Sequence, residues 1–518
     1  MNKETPLETS KSLKMLVGAS FIVLATTIVS KFLTYLYRIV IARFYTPEIY
    51  GIYSLSIMII GWVMLFAGIG LAGGLTRYLP YYRGKKEEAK ASYLFRKTTL
   101  FLSLSGILGF IIVILTSGFI SNNLFHLHEL KSFLIIFSFA IPFSVLAGAY
   151  FSALKSYEKI GWFAFIVNVL QNTVKLLVLV VLIFLGLNSN SIAISYVVGV
   201  MTALLTAYII TKRKIPSLFK RNNVKDGKDI LNQVFSYSCP LIFFGFISSL
   251  LSWTDIFMIG ILKTPVEVGF YNAAVPIALI ITLSTDLFRQ MFLPLISKEY
   301  GKGNLFTVKE ISRQVTKWLF AISIPLFVAL FIFPNEAIKI LFGPEYLPAA
   351  GALRILIFGF LIASVLDVSP EILSMKGKSK LILKDIIIVA VLNLILNYLL
   401  IPLYGINGAA ISTTISLFIL SILFTYQSWK ETSIFIIKKD VIKIIICGGV
   451  SFATALGISF YLETNAFVKV VTVGVAFLII YLSTLLLSRS VDSNDYLVFE
   501  AIRNKLFKKC LIEQAKID

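Results

Sequence analysis

The sequence of 518 residues contains few charged residues, few cysteines and only two histidines. Charged side chains make up 14% of the chain, whereas 58% of its residues are hydrophobic. Soluble domains contain roughly 25% charged residues, so this balance excludes a soluble protein and indicates a polytopic membrane protein. Cys239 and Cys447 lie in apolar segments and Cys510 lies near the C-terminus. They suggest no extracellular disulfide framework, and they disfavour redox chemistry.

Sequence patterns for metal binding, ATP hydrolysis and catalysis are also missing. His126 and His128 are two residues apart in a predicted outer loop, and no group of His, Cys, Asp or Glu has metal-ligand spacing. We therefore expect neither a metal nor a cofactor. No Gly-Lys-Ser/Thr loop occurs, so the chain is not expected to hydrolyse ATP. Asp492 and Asp495 form an acidic pair without a supporting domain, which disfavours a glycosyltransferase. We predict that the protein is not an enzyme.

Long apolar stretches dominate the sequence. Fourteen of them approach or exceed the ~20 residues needed to cross a bilayer. The uncharged run 386–429 is too long for one helix, and Pro402, Gly405 and Gly408 predict a tight turn within it. The first stretch continues past Lys31 without a small-residue cleavage site, so we expect an uncleaved helix. The sequence predicts an all-α membrane protein with fourteen transmembrane helices.

The positive charge of the chain follows its predicted topology. The formal net charge is +21, and most of the 48 Lys and Arg residues fall in the N-terminus, in alternate connections and in the tail. By the positive-inside rule, both termini are expected in the cytoplasm of a prokaryotic cell, with the chain in the cytoplasmic membrane. No zinc spacing or aromatic RNA-binding signature accompanies the basic loops, so we expect no nucleic-acid partner.

The chain contains two related halves. Residues 46–53 (TPEIYGIY) return 218 residues later as 264–271 (TPVEVGFY), and further pairs follow in the same order, such as Asn172 with Asn393. Each copy holds six predicted spans, an even number, so the copies are parallel and related by an axis along the membrane normal. We predict an N-lobe (1–214, helices 1–6), a cytoplasmic linker (215–234), a C-lobe (235–430, helices 7–12), helices 13 and 14 (431–488) and a cytoplasmic tail (489–518).

Two parallel lobes around a central cavity are typical of alternating-access transporters. The repeated Thr-Pro turn is expected at the outer corner between the first two helices of each lobe, mainly as a structural corner. Small residues such as Gly70 and Gly74, and Gly408 with Ala409, predict close helix packing or hinges.

Charged residues within or beside the predicted spans are the candidate functional residues, because an ionisable group at membrane depth is costly. The candidates for substrate binding are basic and lie in helices 1 and 5: Lys31, Arg38 and Lys175. The candidates for gating or ion coupling lie in helices 7, 8 and 10: Asp255, Asp286, Arg289 and Asp367. Snorkelling or a local ion pair is the structural alternative for these residues.

Two pairings among these residues are expected. Under the 218-residue offset Arg38 matches Ile256, so Arg38 and Asp255 fall at similar depths in the two halves. We hypothesise that they pair as an outer gate when the cavity opens inward; a permanent structural pair, or no contact, is the alternative. Asp286 and Arg289 are three residues apart and are expected to pair locally.

Three segments carry a family resemblance: the helix around Lys31, residues 41–53 (IARFYTPEIYGIY) and residues 404–412 (YGINGAAIS). Together they resemble the polysaccharide-transport (flippase) family of the multidrug/oligosaccharidyl-lipid/polysaccharide (MOP) exporter superfamily. The resemblance implies two six-helix lobes forming a V-shaped cavity, with helices 1, 2, 7 and 8 as its main walls. It also implies flipping of lipid-linked sugars from the cytoplasmic to the outer leaflet, with basic cavity residues, here Lys31, Arg38 and Lys175, facing the phosphate and sugar.

The partners implied are a polyprenyl-phosphate-linked glycan, membrane lipids, and a glycan polymerase or glycosyltransferases. Three other functions stay open. A multidrug or cation antiporter of the same superfamily would be expected to use acidic cavity residues, and Lys31 and Arg38 argue against it. Lipid II flippases also have fourteen helices and a basic cavity, but their full arginine set is missing here. A non-transporting scaffold for polysaccharide enzymes is the third alternative.

Overall fold

The computed structural model describes residues 6–221, 224, 227–462, 466–488 and 490. In this part of the chain, fourteen helices are long and apolar enough to cross a membrane, which confirms the predicted number, and no strand occurs. We number these spans α1–α14: Ala25–Phe44, Pro47–Ala67, Glu88–Leu124, His128–Ser156, Ile160–Phe184, Ser191–Lys214, Gly227–Leu262, Pro265–Asp286, Leu305–Ile332, Ala349–Met375, Ser379–Tyr404, Ile406–Thr432, Asp440–Tyr461 and Val468–Leu487.

Several spans are part of longer or interrupted helices. The helix of α1 begins at Pro6, and α8 continues beyond a 3₁₀ turn at Leu279–Thr282 as the helix Leu283–Gly301. Turns of π-helix lie within α3 and α5, and α10 is interrupted at Asp367. The remaining segments are the helices Leu71–Gly84 and Pro334–Leu341 and the 3₁₀ turns Pro216–Phe219 and Pro344–Tyr346.

Two glycines with left-handed backbone end helices: one confirms the predicted turn between α11 and α12, and the other corrects the predicted extent of α2. Gly405 has a φ of 57° and separates α11 from α12, as the predicted turn requires. The sequence predicts residues 51–76, the second of the fourteen apolar stretches, as one span, but α2 ends at Ala67, and Gly70 with a φ of 61° precedes the helix Leu71–Gly84. Because left-handed backbone cannot continue an α-helix, the apolar run is divided between two helices.

Two compact units make up the described chain. The first contains the chain up to Ala278 together with Ile338–Gly359 and Ser379–Leu420. An aromatic cluster lies in its interior: the ring centroids of Tyr50 and Tyr53 are 6.0 Å apart, and Tyr346 is 6.0 Å from Tyr50. Stacked and edge contacts of this kind add about 0.5–1.5 kcal/mol per pair to the energy of burial. This unit holds all of the residues predicted to bind substrate.

The second unit contains Leu279–Ala337, Phe360–Lys378 and the described chain from Ser421 onward. One buried cluster joins the Leu283–Gly301 helix to α9, through residues such as Phe292, Ile296 and Val315. A second joins α9 to α13 and α14, where Gly448 lets the backbone of α13 approach Ile324.

The predicted lobe boundaries at 214, 235 and 430, and the cytoplasmic placement of the termini, stay predictions. The predicted tail 489–518 lies outside the described residues except for Ser490. Cys510, Asp492 and Asp495 are outside them as well.

Candidate functional site

The repeated Thr-Pro segments meet each other in the first unit. Thr46 caps α2 with Pro47 in the first turn, and the two glycines that follow the prolines, Gly51 and Gly269, lie at the crossing of α2 and α8. A Cβ on Gly51 would stand 1.8 Å from the carbonyl oxygen of Pro265, and one on Gly269 would stand 2.0 Å from that of Pro47. The contact is reciprocal between equivalent residues of the two repeats. It therefore has the pseudo-twofold symmetry that the duplication predicts, and only glycine fits at this approach.

Arg38 forms a hydrogen bond to α8 about one helical turn beyond this crossing. Its Nη1 donates to Oδ1 of Asn272 at 3.4 Å, and the Asn272 amide donates to the hydroxyl of Ser54. Ser54 and Asn272 are themselves equivalent under the 218-residue offset. The Tyr50 hydroxyl donates to the backbone oxygen of Asn272 at 3.3 Å. A guanidinium from α1 is thus held by the same residues that close α2 against α8.

Lys175 is buried among the helices of the first repeat. Its Nζ donates to Oδ1 of Asn172 at 3.1 Å and lies 4.5 Å from the centroid of the Tyr37 ring. The Tyr37 hydroxyl donates to the backbone oxygen of Ile192 at 3.0 Å and lies 3.0 Å from Oγ of Ser195. No carboxylate forms an ion pair with Lys175 in the described chain, and Arg38 is near enough to repel it. We call Lys175, Tyr37, Asn172 and Ser195 the basic cluster.

Asp255 is buried in a second polar cluster. Nδ2 of Asn397 donates to its Oδ1 at 2.8 Å, and the hydroxyls of Tyr271 and Thr413 donate to its Oδ2. Asn397 also donates to Oδ1 of Asn393 at 3.1 Å, while its own buried Oδ1 has no hydrogen-bond partner. A cavity of about 30 Å³ lies beside Asn393 and Thr413. We call Asp255, Tyr271, Asn393, Asn397 and Thr413 the acidic cluster.

The two clusters occupy equivalent places in the two repeats. Tyr37 corresponds to Asp255 and Tyr53 to Tyr271 at an offset of 218, and Asn172 corresponds to Asn393 at a slightly larger one. In both copies the first, fifth and sixth helices contribute side chains, and in the second copy Tyr271 on the second helix joins them. The duplication has therefore kept a buried polar position while giving it a cation in one copy and an anion in the other.

Three charged residues meet in the second unit. Nε of Arg289 lies 2.6 Å from Glu371 and 3.9 Å from Asp367, both on α10. Burial on its own lowers the pKa of the Arg289 guanidinium, but the carboxylates of Asp367 and Glu371 outweigh it and raise that pKa above its usual value. The helix break at Asp367 turns its side chain toward the same arginine.

The structure places the sequence-predicted residues as follows. Lys31 is half-buried on α1, Arg38 and Lys175 are close to each other, and Arg289 pairs with Asp367. Asp286 is half-buried one turn before Arg289, whose ion-pair partners come from α10 in addition to any local contact.

The hypothesised ion pair between Arg38 and Asp255 is not formed in this conformation. Arg38 is bound to Asn272, and Asp255 accepts from Tyr271, Asn397 and Thr413. Asp255 points into its own repeat, so equal depth in the membrane does not bring it near Arg38. Sequence reasoning missed Asn272, Asn397 and Thr413. The one available signal was the pair Asn393 and Asn397, one helical turn apart in an otherwise apolar helix.

Comparison with known proteins identifies the family. The model of the family described as polysaccharide biosynthesis protein matches residues 16–299, more than half of the chain. The chain belongs to this family. A second model, MatE, matches residues 240–399. The first match gives the polysaccharide branch, and the two together fit the MOP superfamily.

Relatives and solved structures agree with this assignment. An uncharacterised membrane protein of Methanocaldococcus jannaschii is 26% identical over 467 residues, which cover 87% of this chain and 91% of the relative. A Shigella flexneri protein assigned as an O-antigen transporter is 23% identical over 76% of this chain and 93% of its own. The structure of the lipid II flippase MurJ in an inward closed conformation superposes with a TM-score of 0.72 at 16% identity, covering 90% of this chain and 99% of the flippase. This last likeness shows the fold. The protein is a multi-pass membrane protein of the flippase and exporter class, as the sequence predicts.

Proposed function

We propose that the protein moves a lipid-linked oligosaccharide or polysaccharide precursor from the cytoplasmic to the outer leaflet by alternating access. The observation that carries this proposal is the set of basic side chains in α1 and α5, two of which, Arg38 and Lys175, are near enough to repel each other. Within the described chain neither forms an ion pair, so both are available to an anionic group. The diphosphate of a polyprenyl-linked glycan supplies such a group.

Each basic residue has a role suited to its position. Arg38 offers a planar guanidinium that can bind two phosphate oxygens at once, whereas Lys31 and Lys175 offer point charges. The cation–π contact between Lys175 and Tyr37 holds the ammonium in place without neutralising it. The polyprenyl tail stays in the bilayer while these cations receive the diphosphate.

The α2–α8 crossing is the proposed outer gate. It lies on the side of the membrane that the charge pattern assigns to the exterior, and it holds Arg38 through Asn272. Opening this side requires Gly51 and Gly269 to separate and Asn272 to release Ser54. The release also frees Arg38, which couples the gate to the group that binds phosphate. Arg289, with Asp286, Asp367 and Glu371, is proposed to act as an inner latch within the second unit.

The acidic cluster is the proposed site of ion coupling. Its oxygens from carboxylate, amide and hydroxyl groups are hard ligands of the kind that bind alkali and alkaline-earth cations, and the unpartnered Oδ1 of Asn397 adds one more. Sodium ions and protons both suit Asp255. The membrane potential is a further energy source, because each negative charge that moves outward gains about 2.3 kcal/mol at 100 mV.

Vesicles reconstituted with the purified chain test the transport proposal. A lipid-linked oligosaccharide with a labelled head group is added to one leaflet, and its exposure on the other leaflet is followed with an impermeant quencher. We expect the head group to cross in vesicles with the protein and to stay in place in vesicles without it. Equal crossing in both would contradict the proposal.

The same vesicles separate this function from its alternatives. A multidrug or cation antiporter would accumulate a fluorescent organic cation against a sodium or proton gradient, and we expect no such uptake. A lipid II flippase would move lipid II at the same rate as a lipid-linked oligosaccharide without peptide. A scaffold would bind a glycan polymerase or glycosyltransferase without moving the head group; such enzymes are proposed partners that supply or consume the glycan.

A further inference from the structure

A cavity of about 570 Å³ opens beside the N-terminal part of α3, apart from the clusters described above. This volume falls within the roughly 300–1,000 Å³ of typical ligand pockets. Its walls come from α3, from Tyr150 on α4 and from the segment after α6 that ends at Arg221. The charge pattern assigns this end of α3 to the cytoplasmic side of the membrane. The cavity therefore lies where a lipid head group meets water.

Packing and hydrogen bonds build the floor of the cavity. The rings of Phe95 and Tyr150 meet edge to face at 5.6 Å, and Phe219 meets Phe95 at 6.0 Å. Oγ of the buried Ser92 donates to the backbone oxygens of Leu218 and Lys220, which fixes the segment after α6 against α3. The cavity is thus formed by ordered side chains before any ligand binds.

Three cations line the cavity: Arg96, Lys97 and Arg221. None of them forms an ion pair with a carboxylate in the part of the chain that the structure describes. Tyr93, Thr99 and Ser103 also line the cavity, but the hydroxyls of Thr99 and Ser103 donate to the backbone oxygens of Phe95 and Thr99. The positive-inside rule accounts for basic residues at this end of a helix, but it does not require them to surround a preformed cavity. Guanidinium and ammonium donors match the oxygens of a phosphate.

An apolar strip leads from the cavity along α3. Leu100 lines the cavity and is 53% exposed, and Leu104 and Leu108 follow it at intervals of four residues with exposures of 56% and 58%. Residues at this spacing share one face of a helix. A ligand with its charged group in the cavity would lay a hydrocarbon chain along this face.

We propose that this cavity binds the phosphate head group of an anionic membrane phospholipid, with its acyl chains along the exposed face of α3. Basic pockets between helices at the cytoplasmic surface are a known way to hold such head groups. A soluble phosphate ester shares the head-group chemistry but would not use the apolar strip. The bound lipid would join α3 and α4 to the segment between α6 and α7, and its binding does not depend on the proposed transport function.

The test measures lipid binding to the full chain in detergent micelles by native mass spectrometry. The probes are phosphatidylglycerol, phosphatidylcholine with the same acyl chains, and soluble glycerol 1-phosphate. We expect phosphatidylglycerol to bind at least tenfold more tightly than either of the other two. Equal binding of glycerol 1-phosphate would make the occupant a soluble phosphate ester and overturn the lipid assignment.

Matched charge variants locate the site. The double substitution R96Q/K97Q should weaken phosphatidylglycerol binding at least tenfold. R213Q/K214Q removes the same charge from exposed residues at the end of α6 that do not line the cavity, and it should change binding by less than twofold. Retention of binding by R96K/K97R checks that the fold survives changes at these positions. Equal losses in R96Q/K97Q and R213Q/K214Q would show general attraction to a basic surface and would overturn the proposal. Flipping is measured on the same preparations, so that a failure of the lipid-binding proposal can be distinguished from a failure of the transport proposal.

Discussion

Tyr37 and Asp255 stand at equivalent positions of the two repeats and differ in what they can bind. Tyr37 donates its proton to a backbone oxygen and presents its ring to Lys175, whereas Asp255 accepts three hydrogen bonds from side chains. A buried carboxylate without a cation is costly, and donors to its oxygens offset only part of the cost. This cost is the reason for proposing Asp255 as the residue in the second repeat that an incoming cation would stabilise.

Asp255→Asn tests ion coupling at this scale. The substitution removes the charge while keeping the side-chain volume, so we expect flipping to lose its stimulation by an imposed sodium or proton gradient. The rate of flipping without an imposed gradient should fall less than the rate measured with one. Asp229→Asn is the control, since Asp229 is exposed near the start of α7. A gradient response that persists in Asp255→Asn would exclude the acidic cluster as the coupling site.

Charge and repetition made some site residues predictable at the residue scale. Lys31, Arg38 and Asp255 could be found because a charge in an apolar stretch is visible in the sequence. Asn272 and Thr413 could not, because neutral polar residues are common in such helices and only tertiary packing decides which of them meet. The absence of an Arg38–Asp255 pair in this conformation has the same origin: an alignment of repeats gives depth but not the direction of a side chain.

At the scale of elements, the α2–α8 crossing depends on two glycines that accept no side chain. G51A or G269A places a methyl group where a carbonyl oxygen stands about 2 Å away, so the helices must move apart. We expect each variant to slow flipping at least tenfold and to raise the labelling of a cysteine introduced beside the crossing.

Gly61→Ala is the matched control for these variants. Gly61 lies on α2 as well, and a Cβ there meets nothing within 4 Å. It should leave both flipping and labelling unchanged. If G51A and G61A behaved alike, close contact at the crossing would have no role in gating.

A double-mutant cycle can measure the ion pair between Arg289, on the Leu283–Gly301 helix, and Glu371, on α10. Arg289 is 52% exposed and Glu371 is 10% exposed at the side chain, so solvent screening limits the coupling to about 1 kcal/mol. R289Q and E371Q should each lower the thermal midpoint in detergent, and the double variant should lower it little further. Additive losses would show that the two residues do not act as a pair.

Helices were more predictable than their ends. Apolar length, together with the turn at Pro402, Gly405 and Gly408, gave the number of spans, since a bilayer demands about 20 residues of each. The break between Ala67 and Leu71 was not predicted. Gly68 and Gly70 lie there, and glycines in an apolar run are compatible both with close helix packing and with a left-handed turn. The division of α8 at Leu279–Thr282 was not predicted either, although Pro276 lies three residues before it.

At the scale of the whole molecule, the basic side chains within the first repeat, Lys31, Arg38 and Lys175, favour an anionic cargo that moves outward with the membrane potential. Each net negative charge gains about 2.3 kcal/mol per 100 mV, or roughly a 50-fold shift in distribution between leaflets. We expect a potassium diffusion potential, negative inside, to accelerate outward flipping of a diphosphate-linked glycan. A neutral lipid-linked sugar should show no such response.

The central claim is that the basic side chains of the first repeat carry a lipid-linked glycan across the membrane. The most direct measurement compares head-group crossing in vesicles that contain equal amounts of the wild-type chain, the K31A/R38A variant and the control K131A, an exposed lysine outside the predicted site. The wild type and K131A should move the head group at similar rates, and K31A/R38A should be at least tenfold slower. Crossing at the wild-type rate in K31A/R38A, or no crossing in any of the three, would contradict the account.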